Sequence, residues 1–447
     1  MYFLTLKYIL HSVLTGGTRM KKSILVIILV MLSMSMVFAS GKKEVAGSDG
    51  PQRTVVAREA ANDGVSLTPA SYSEAQVPGL PYIGVKPAKK YKIAFSNGDM
   101  ADSWRAAFYS DMINSLEYLK KEFGVTYIVA NSGADSAKQL EDIRSLLAQK
   151  PDILLFSPNE AAPLTSVAEM CEDTGIPFIT VDRSINAPIG KGKYLANIEG
   201  DNFRVGVAMG ISVVNGLIEK NGAPEGIVAE ISGAVGATPS SHRSGGMRHV
   251  LKDYPEIKIV QVLDGGYDDV MAYEAAQDIL TTHGSVLDCI AVAFDTGCGQ
   301  AIEVAKTMGY NDIIYVTSNG NVGFLKDYLL PGKAVSTIEY PPTYGVTTLE
   351  YAIHYLNGVD IPSNILLPQR FFMANTPEKS DALAALIDTC VRAGDVYVPG
   401  SYGLYDIFTM DGPLWDKYYP KNYAEAGGES YLKTVVPKDP FALWNVR

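Results

Sequence analysis

From Tyr91 onward the chain alternates between short apolar runs and amphipathic helical stretches, and this alternation most restricts its fold. Tyr91–Ser96 reads as a strand. Asp102–Phe123 reads as a helix with Trp104, Phe108, Met112 and Leu116 on one face. Strands at Tyr127–Ala130, Ile153–Ser157 and Pro177–Val181 follow, separated by helices from Asp135 to Gln149 and Pro163 to Thr174. Parallel strands need a crossover, and a helix between every pair supplies it, so the pattern predicts a parallel sheet with right-handed connections. Tyr194–Ile198 leads out through the polar link Glu199-Gly200-Asp201, and the series starts again. Helices Asn202–Glu219, Ser240–Lys252, Val270–Thr281 and Gly299–Met308 alternate with strands Gly226–Ile231, Ile257–Leu263, Asp288–Phe294 and Ile313–Thr317. No fixed-period repeat relates the two series. The expectation is an α/β chain of two doubly wound parallel-sheet lobes. Val335–Tyr340, helix Thr343–Leu356 and Leu366–Met373 are read as crossing back between them. A length of 447 residues fits two lobes better than one core.

The rest of the chain is organised differently. Met20-Lys21-Lys22, the apolar run Ile24 to Phe38 and the small Ala39 read as a secretory leader over residues 1–39, with Met20 an alternative start. A membrane anchor is the competing reading, and the shortness of the run argues against it. Lipid attachment is not supported, because Ser40 stands where a cysteine would be required. Residues 40–90 are rich in Gly, Pro, Ser and charge and read as a flexible arm. The expected boundaries are then 91–198 plus 340–366 for the first lobe, 199–339 plus 367–375 for the second, and 376–447 for a C-terminal extension. The extension opens with helix Pro377–Ala393 and continues with many aromatics, which predicts packing on the body; a partner surface is the alternative.

A net charge of -11 argues against nucleic acid or an anionic membrane as partner. Cys171, Cys289, Cys298 and Cys390 are widely spaced, with no paired motif for zinc. Cys171 and Cys289 fall in apolar surroundings and read as buried thiols, while a disulfide stays open for an exported chain.

Ligands of open α/β sheets bind outside the carboxyl ends of the strands. Those ends carry a consistent chemistry here. Ile179-Thr180-Val181 runs into Asp182-Arg183-Ser184, a carboxylate and a guanidinium side by side. Together they accept and donate the paired hydrogen bonds that a polyhydroxylated ligand requires. Trp104-Arg105 opens the first helix as an aromatic face beside a fork of donors. The loop Ser232 to Thr238 is glycine-rich but lacks a P-loop pattern, and Arg243 follows on the next helix. Tyr267, Phe294-Asp295, Asn319-Gly320 and Glu339-Tyr340 sit at the remaining strand ends. Asp295-Thr296-Gly297-Cys298-Gly299 lacks the third glycine of a dinucleotide turn, because Ile302 stands there. The histidines are scattered, HExxH is absent and no nucleophile elbow is present, so the pattern favours binding over catalysis. A pair of crevice carboxylates acting on a glycoside is the remaining enzymatic alternative.

With these residues in hand, the chain resembles the type I periplasmic sugar-binding proteins of ABC importers, the ribose, galactose and galactofuranose binders. The likeness covers roughly Tyr91 to Met373. It rests on Phe95-Ser96, Ser103-Trp104-Arg105-Ala106-Ala107, Ile179 to Ser184, Val235-Gly236-Ala237 with Arg243, Gly266-Tyr267-Asp268, Asp295, Asn319-Gly320 and Ser336 to Glu339. The resemblance implies two lobes joined by three hinge crossovers and clamped on a sugar by hinge closure. It implies stacking by Trp104 and Tyr267, and hydroxyl binding by Asp182, Arg183, Arg105 and Arg243. Asn319 stands where the family usually has aspartate, and Phe294 replaces the asparagine before Asp295. Glu339 holds the hinge position of a polar contact. These changes imply fewer hydroxyl contacts or a more apolar ligand. The implied partners are a membrane ABC permease or, alternatively, a chemoreceptor or sensor kinase; no cofactor is implied.

Overall fold

The computed structural model describes residues 56–57, 85–100, 102–367, 369–399, 407–408 and 412–418. The leader expected over 1–39 lies outside the described residues, as does most of the arm and much of the extension.

The described chain builds two α/β lobes. In the first, β2 (Lys92–Asn97), β3 (Thr126–Asn131), β4 (Ile153–Ser157), β5 (Phe178–Val181) and β6 (Tyr194–Gly200) alternate with α1 (Ser103–Phe123), α2 (Ser136–Ala148) and α3 (Val167–Thr174). With β12 (Asn364–Leu367) and the two-residue β1 (Val56–Ala57) they form a seven-stranded parallel sheet, ordered β1-β12-β6-β5-β4-β2-β3. The second lobe holds β7 (Gly226–Ser232), β8 (Ile257–Asp264), β9 (Cys289–Val292), β10 (Ile314–Asn319), β11 (Ser336–Glu339) and β13 (Phe371–Phe372), ordered β13-β11-β10-β9-β7-β8. All its pairs are parallel except β11 with β13. Its helices are α4 (Asn202–Asn221), α5 (Thr238–Leu251), α6 (Asp269–His283) and α7 (Asp295–Met308).

Among the described residues, three connections pass between the lobes. β6 leads through Asp201 into α4, which packs on β10 and β11. β11 leads through Tyr340 to Tyr344 into α8 (Gly345–Leu356), which returns to pack on α1. The third runs from β12 to β13 and contains Arg370. Beyond β13, α9 (Pro377–Ala393) buries Leu383, Leu386, Ile387 and Cys390 in the core of the second lobe. Trp415 and Tyr418 are also buried, as the aromatic content of the extension predicts. All four cysteines are free and buried. Burial pushes the Cys171 thiol up to about 12, which leaves it an inert core side chain.

Two glycine contacts fix the position of α5, and hence of Arg243. A Cβ on Gly206 would lie 2.0 Å from the Arg243 carbonyl oxygen, and one on Gly246 would lie 2.2 Å from that of Phe203. The backbones of α4 and α5 therefore touch. Gly206→Ala must push the helices apart, because backbone cannot yield as a side-chain tip can. We expect a loss of about 3 kcal/mol in denaturant unfolding. A stability equal to that of the unsubstituted protein would contradict this packing.

Asp111 on α1 carries a second consequence. It is half-buried and accepts the Gly345 N–H at the start of α8. Burial raises its carboxyl from 3.8 to about 7, against a smaller opposing effect of that hydrogen bond. The unfolded chain releases this proton near 3.8 while the folded chain holds it to about 7. Its contribution to stability is therefore complete below the lower value and is lost as the pH rises through the upper one. Asp111→Asn keeps an acceptor for Gly345 and removes the charge. It is expected to stabilise the protein at pH 8 by a few kcal/mol, roughly, with no gain at pH 4. Equal gains at both pH values would contradict the assignment.

Candidate functional site

The carboxyl ends of strands from both lobes meet at one narrow crevice. Its lining is Asp102, Trp104, Arg105, Asp182, Arg183, Pro239, Arg243, Tyr267, Asn319 and Tyr340. A larger groove, lined by Ile211, Leu329, Phe371 and Lys379 among others, lies on the second lobe and has no comparable set of opposed charges.

The first-lobe wall is built at two strand ends. After β2, Asp102 caps α1 by accepting the Arg105 N–H at 2.6 Å, and this sets the first helical turn in the crevice. Burial raises the Asp102 carboxyl to about 6, the Arg105 N–H bond and the Arg105 charge opposing. Arg105 is 2% exposed. Its Nη1 lies 3.0 Å from Asp182 Oδ2 and donates to Ser157 Oγ at 2.9 Å, and its Nε lies 3.3 Å from Asp99. Burial works against its charge, and the Asp99 and Asp182 carboxylates outweigh it. After β5, Asp182 takes a left-handed backbone, φ +68°, which turns its carboxylate back towards Arg105. Arg183 donates to the Asn159 carbonyl at 2.8 Å and lies 3.4 Å from Asp99. Its pKa is lowered by burial and by the neighbouring Arg105. Arg105 Nη2 and Arg183 Nε are buried with no hydrogen-bond partner among the described residues. They are the donors this wall holds in reserve.

The second-lobe wall centres on Arg243. Its Nε donates to Asn202 Oδ1 at 2.9 Å, and its Nη1 donates to Ala293 O at 2.6 Å, Ser318 Oγ at 2.8 Å and Asn319 Oδ1 at 3.0 Å. The guanidinium is thus held in one orientation from three elements. Tyr267 lies flat over Gly233, where a Cβ would fall 2.1 Å from its ring. Its hydroxyl is buried without a partner among the described residues. Tyr267 and Asn319 also have positive φ, +56° and +119°. Three crevice residues therefore hold backbone conformations that cost free energy, as is common where a chain presents side chains to a ligand.

Tyr340 joins the two walls from the second crossover. Its hydroxyl donates to Asp182 Oδ1 at 2.9 Å and accepts from Asn202 at 3.1 Å. Its carbonyl accepts the Trp104 indole N–H at 2.7 Å, and the Arg243 guanidinium carbon sits 4.5 Å from its ring centroid. The lobes also touch directly, through Ser184 N to Thr238 Oγ1 at 3.2 Å and Ala161 N to Gly236 O at 3.1 Å.

A model of the periplasmic binding protein domain matches residues 93–360, which include all of this lining. The chain belongs to that family. The ribose import binding protein of Bacillus subtilis is 23% identical over 277 residues, covering 62% of this chain and 87% of its own length. The galactofuranose-binding protein of Escherichia coli is 25% identical over 280 residues, 62% of this chain and 85% of its own. Among solved structures, a Mycobacterium smegmatis protein in complex with β-D-fucofuranose aligns with a TM-score of 0.61 at 22% identity, covering 68% of this chain and 96% of its own. The two lobed parallel sheets are those of type I periplasmic binding proteins.

Seven of the residues expected at strand ends line the crevice of this binding protein: Trp104, Arg105, Asp182, Arg183, Arg243, Tyr267 and Asn319. Trp104 is less open than the sequence implies, since one face stacks on Phe108 at 5.6 Å. Three expected residues do not line it. Glu339 is fully buried against Arg370, which donates to it through backbone N at 2.9 Å, Nε at 2.7 Å and Nη2. Phe294 lies behind Tyr267 as packing, with ring centroids 5.5 Å apart. Asp295 turns inward, and its Oδ2 accepts the Asn321 N–H. The helix reading began at Gly299, but α7 begins at Asp295, because glycine at 297 lets the Phe294 ring close against the first turn. The sequence reasoning passed over Asp102, Pro239 and Tyr340. Tyr340 stands beside Glu339 at the strand end, but adjacent residues face opposite ways, and it is Tyr340 that meets the crevice.

Proposed function

We propose that this chain is an extracytoplasmic solute-binding protein that captures one monosaccharide between its lobes and delivers it to an ABC importer. The observation that carries the reading is the pair of fixed charge clusters facing one crevice. Arg105, Asp182 and Arg183 stand on one lobe, and Arg243 with Asn319 on the other, with the rings of Trp104, Tyr267 and Tyr340 between them. Rings take the apolar C–H face of a sugar, while carboxylates and guanidiniums take its hydroxyls. Contacts from both lobes are complete only when the lobes are together, so ligand shifts the population towards the closed form. The secretory leader read in residues 1–39 supports delivery outside the cytoplasm, and binding without turnover follows the character of the relatives.

A sensory role is the second reading. It is favoured by the likeness, at 25% identity and a TM-score of 0.59, to the fructose-binding periplasmic domain of a hybrid two-component system. In that case the closed form docks on a receptor instead of a permease.

A thermal-shift screen of the chain from Ser40 onward against aldoses, ketofuranoses, cyclitols and nucleosides tests the proposal. One monosaccharide is expected to raise the Tm by several degrees at millimolar concentration, as mass action requires of a ligand that binds only the folded state. A uniform absence of shift would count against it.

A further inference from the structure

The family match ends at residue 360, yet a residue beyond it reaches the start of α1, next to the crevice residues Trp104 and Arg105. After α9 the chain runs along the second lobe from Val396 to Pro399. Val322 N donates to Val396 O at 2.9 Å, and Val398 N to Gly320 O at 3.1 Å. Asn321 and Tyr397 form an antiparallel bridge, Arg370 Nη2 donates to Pro399 O at 2.9 Å, and Val398 is buried in the second-lobe core. This strap is therefore fixed to the second lobe. Tyr397, 4% exposed, points the other way: its hydroxyl is 2.9 Å from Ser103 Oγ. Ser103 is the first residue of α1 on the first lobe, and the next two residues, Trp104 and Arg105, line the crevice.

We propose that Tyr397 is a positioning residue that pins the start of α1 next to the crevice residues, so that the C-terminal extension holds the two lobes together around the ligand. The proposal rests on the sugar-binding reading above and adds to it a part supplied from outside the matched domain. The geometry gives the bond a defined role. Both hydroxyls belong to residues anchored by other contacts, so the pair forms without ordering a loose segment. It bridges the lobes, so opening must break it. Loss of the bond therefore acts on release of ligand more than on capture. Burial holds the Tyr397 proton in place, and the charges of Asp295 and Asp102 add to this, so the hydroxyl stays neutral at any physiological pH.

The test is a double-mutant cycle on Tyr397→Phe and Ser103→Ala, each of which removes one hydroxyl and leaves the packing. Stopped-flow dissociation of the sugar that binds the unsubstituted protein is the readout, beside the Tm of the ligand-free protein. Tyr397 also bonds the Asn321 side chain within the second lobe, so each single variant is expected to raise the dissociation rate roughly fivefold with little change in association, and the double variant no further than Tyr397→Phe, because the bond between the lobes is lost in all three. The ligand-free Tm is expected to stay within about 2 °C, which a purely structural role in the strap would not allow. Unchanged dissociation in Tyr397→Phe, or effects that multiply in the double variant, would overturn the proposal while leaving sugar binding intact. An unsubstituted protein that binds no sugar would overturn the functional reading and this inference with it.

Discussion

Arg370→Ala is expected to cost about 3–5 kcal/mol of stability, with a fall in Tm on the order of 10 °C. Arg370 and Glu339 are both fully buried, and Arg370 lies in the third crossover while Glu339 closes β11 just before the second. Truncating one partner leaves an uncompensated charge where water cannot reach. The pair is an expensive way to join two crossovers, since taking both ions out of water offsets most of their attraction. The combined variant Arg370→Met with Glu339→Leu is therefore expected to recover most of the stability that Arg370→Ala loses. Chemical denaturation of the three proteins checks this. A single variant as stable as the parent would mean that water reaches Glu339 and that the two crossovers are not fastened there.

Asp182→Asn is expected to reduce ligand affinity at least about 100-fold, near 2.7 kcal/mol, with a much smaller effect on folding. Asparagine suits this test better than alanine, because it tolerates the left-handed backbone that Asp182 adopts. The carboxylate stands between Arg105 and the Tyr340 hydroxyl, at 3.0 and 2.9 Å, so the amide removes its charge without opening a hole. An amide can still accept from Tyr340, but it cannot receive a sugar hydroxyl and a guanidinium with the strength of a carboxylate. Arg243→Met tests the opposite wall by the same logic and is expected to have a loss of similar size. Affinity unchanged in both variants would show that the ligand binds elsewhere.

Most of the fold was legible because helix and strand alternate with different hydrophobic periods, and few topologies accept that alternation. The first-lobe wall was legible for the same reason. Once β5 is recognised, Asp182 and Arg183 must lie at its carboxyl end. What the sequence concealed depends on single-residue register and on tertiary contact. Glu339 and Tyr340 differ by one position, and a strand end read one residue out exchanges the buried ion pair for the crevice residue. Asp295 looked like a ligand contact because it follows a strand, yet it begins a helix and turns its carboxylate to a neighbouring loop. Tyr397 carries no local signal at all. Its contact with Ser103 spans the chain, and only the folded second lobe brings the strap to the start of α1.

The measurement that bears most directly on the central claim is calorimetric titration of the chain from Ser40 onward with the same panel of sugars, repeated on Asp182→Asn. The account predicts that one monosaccharide binds with a stoichiometry of one at micromolar or tighter affinity, without turnover, and that the heat is lost in the variant. Silence across the panel, or binding that Asp182→Asn leaves unchanged, would contradict it.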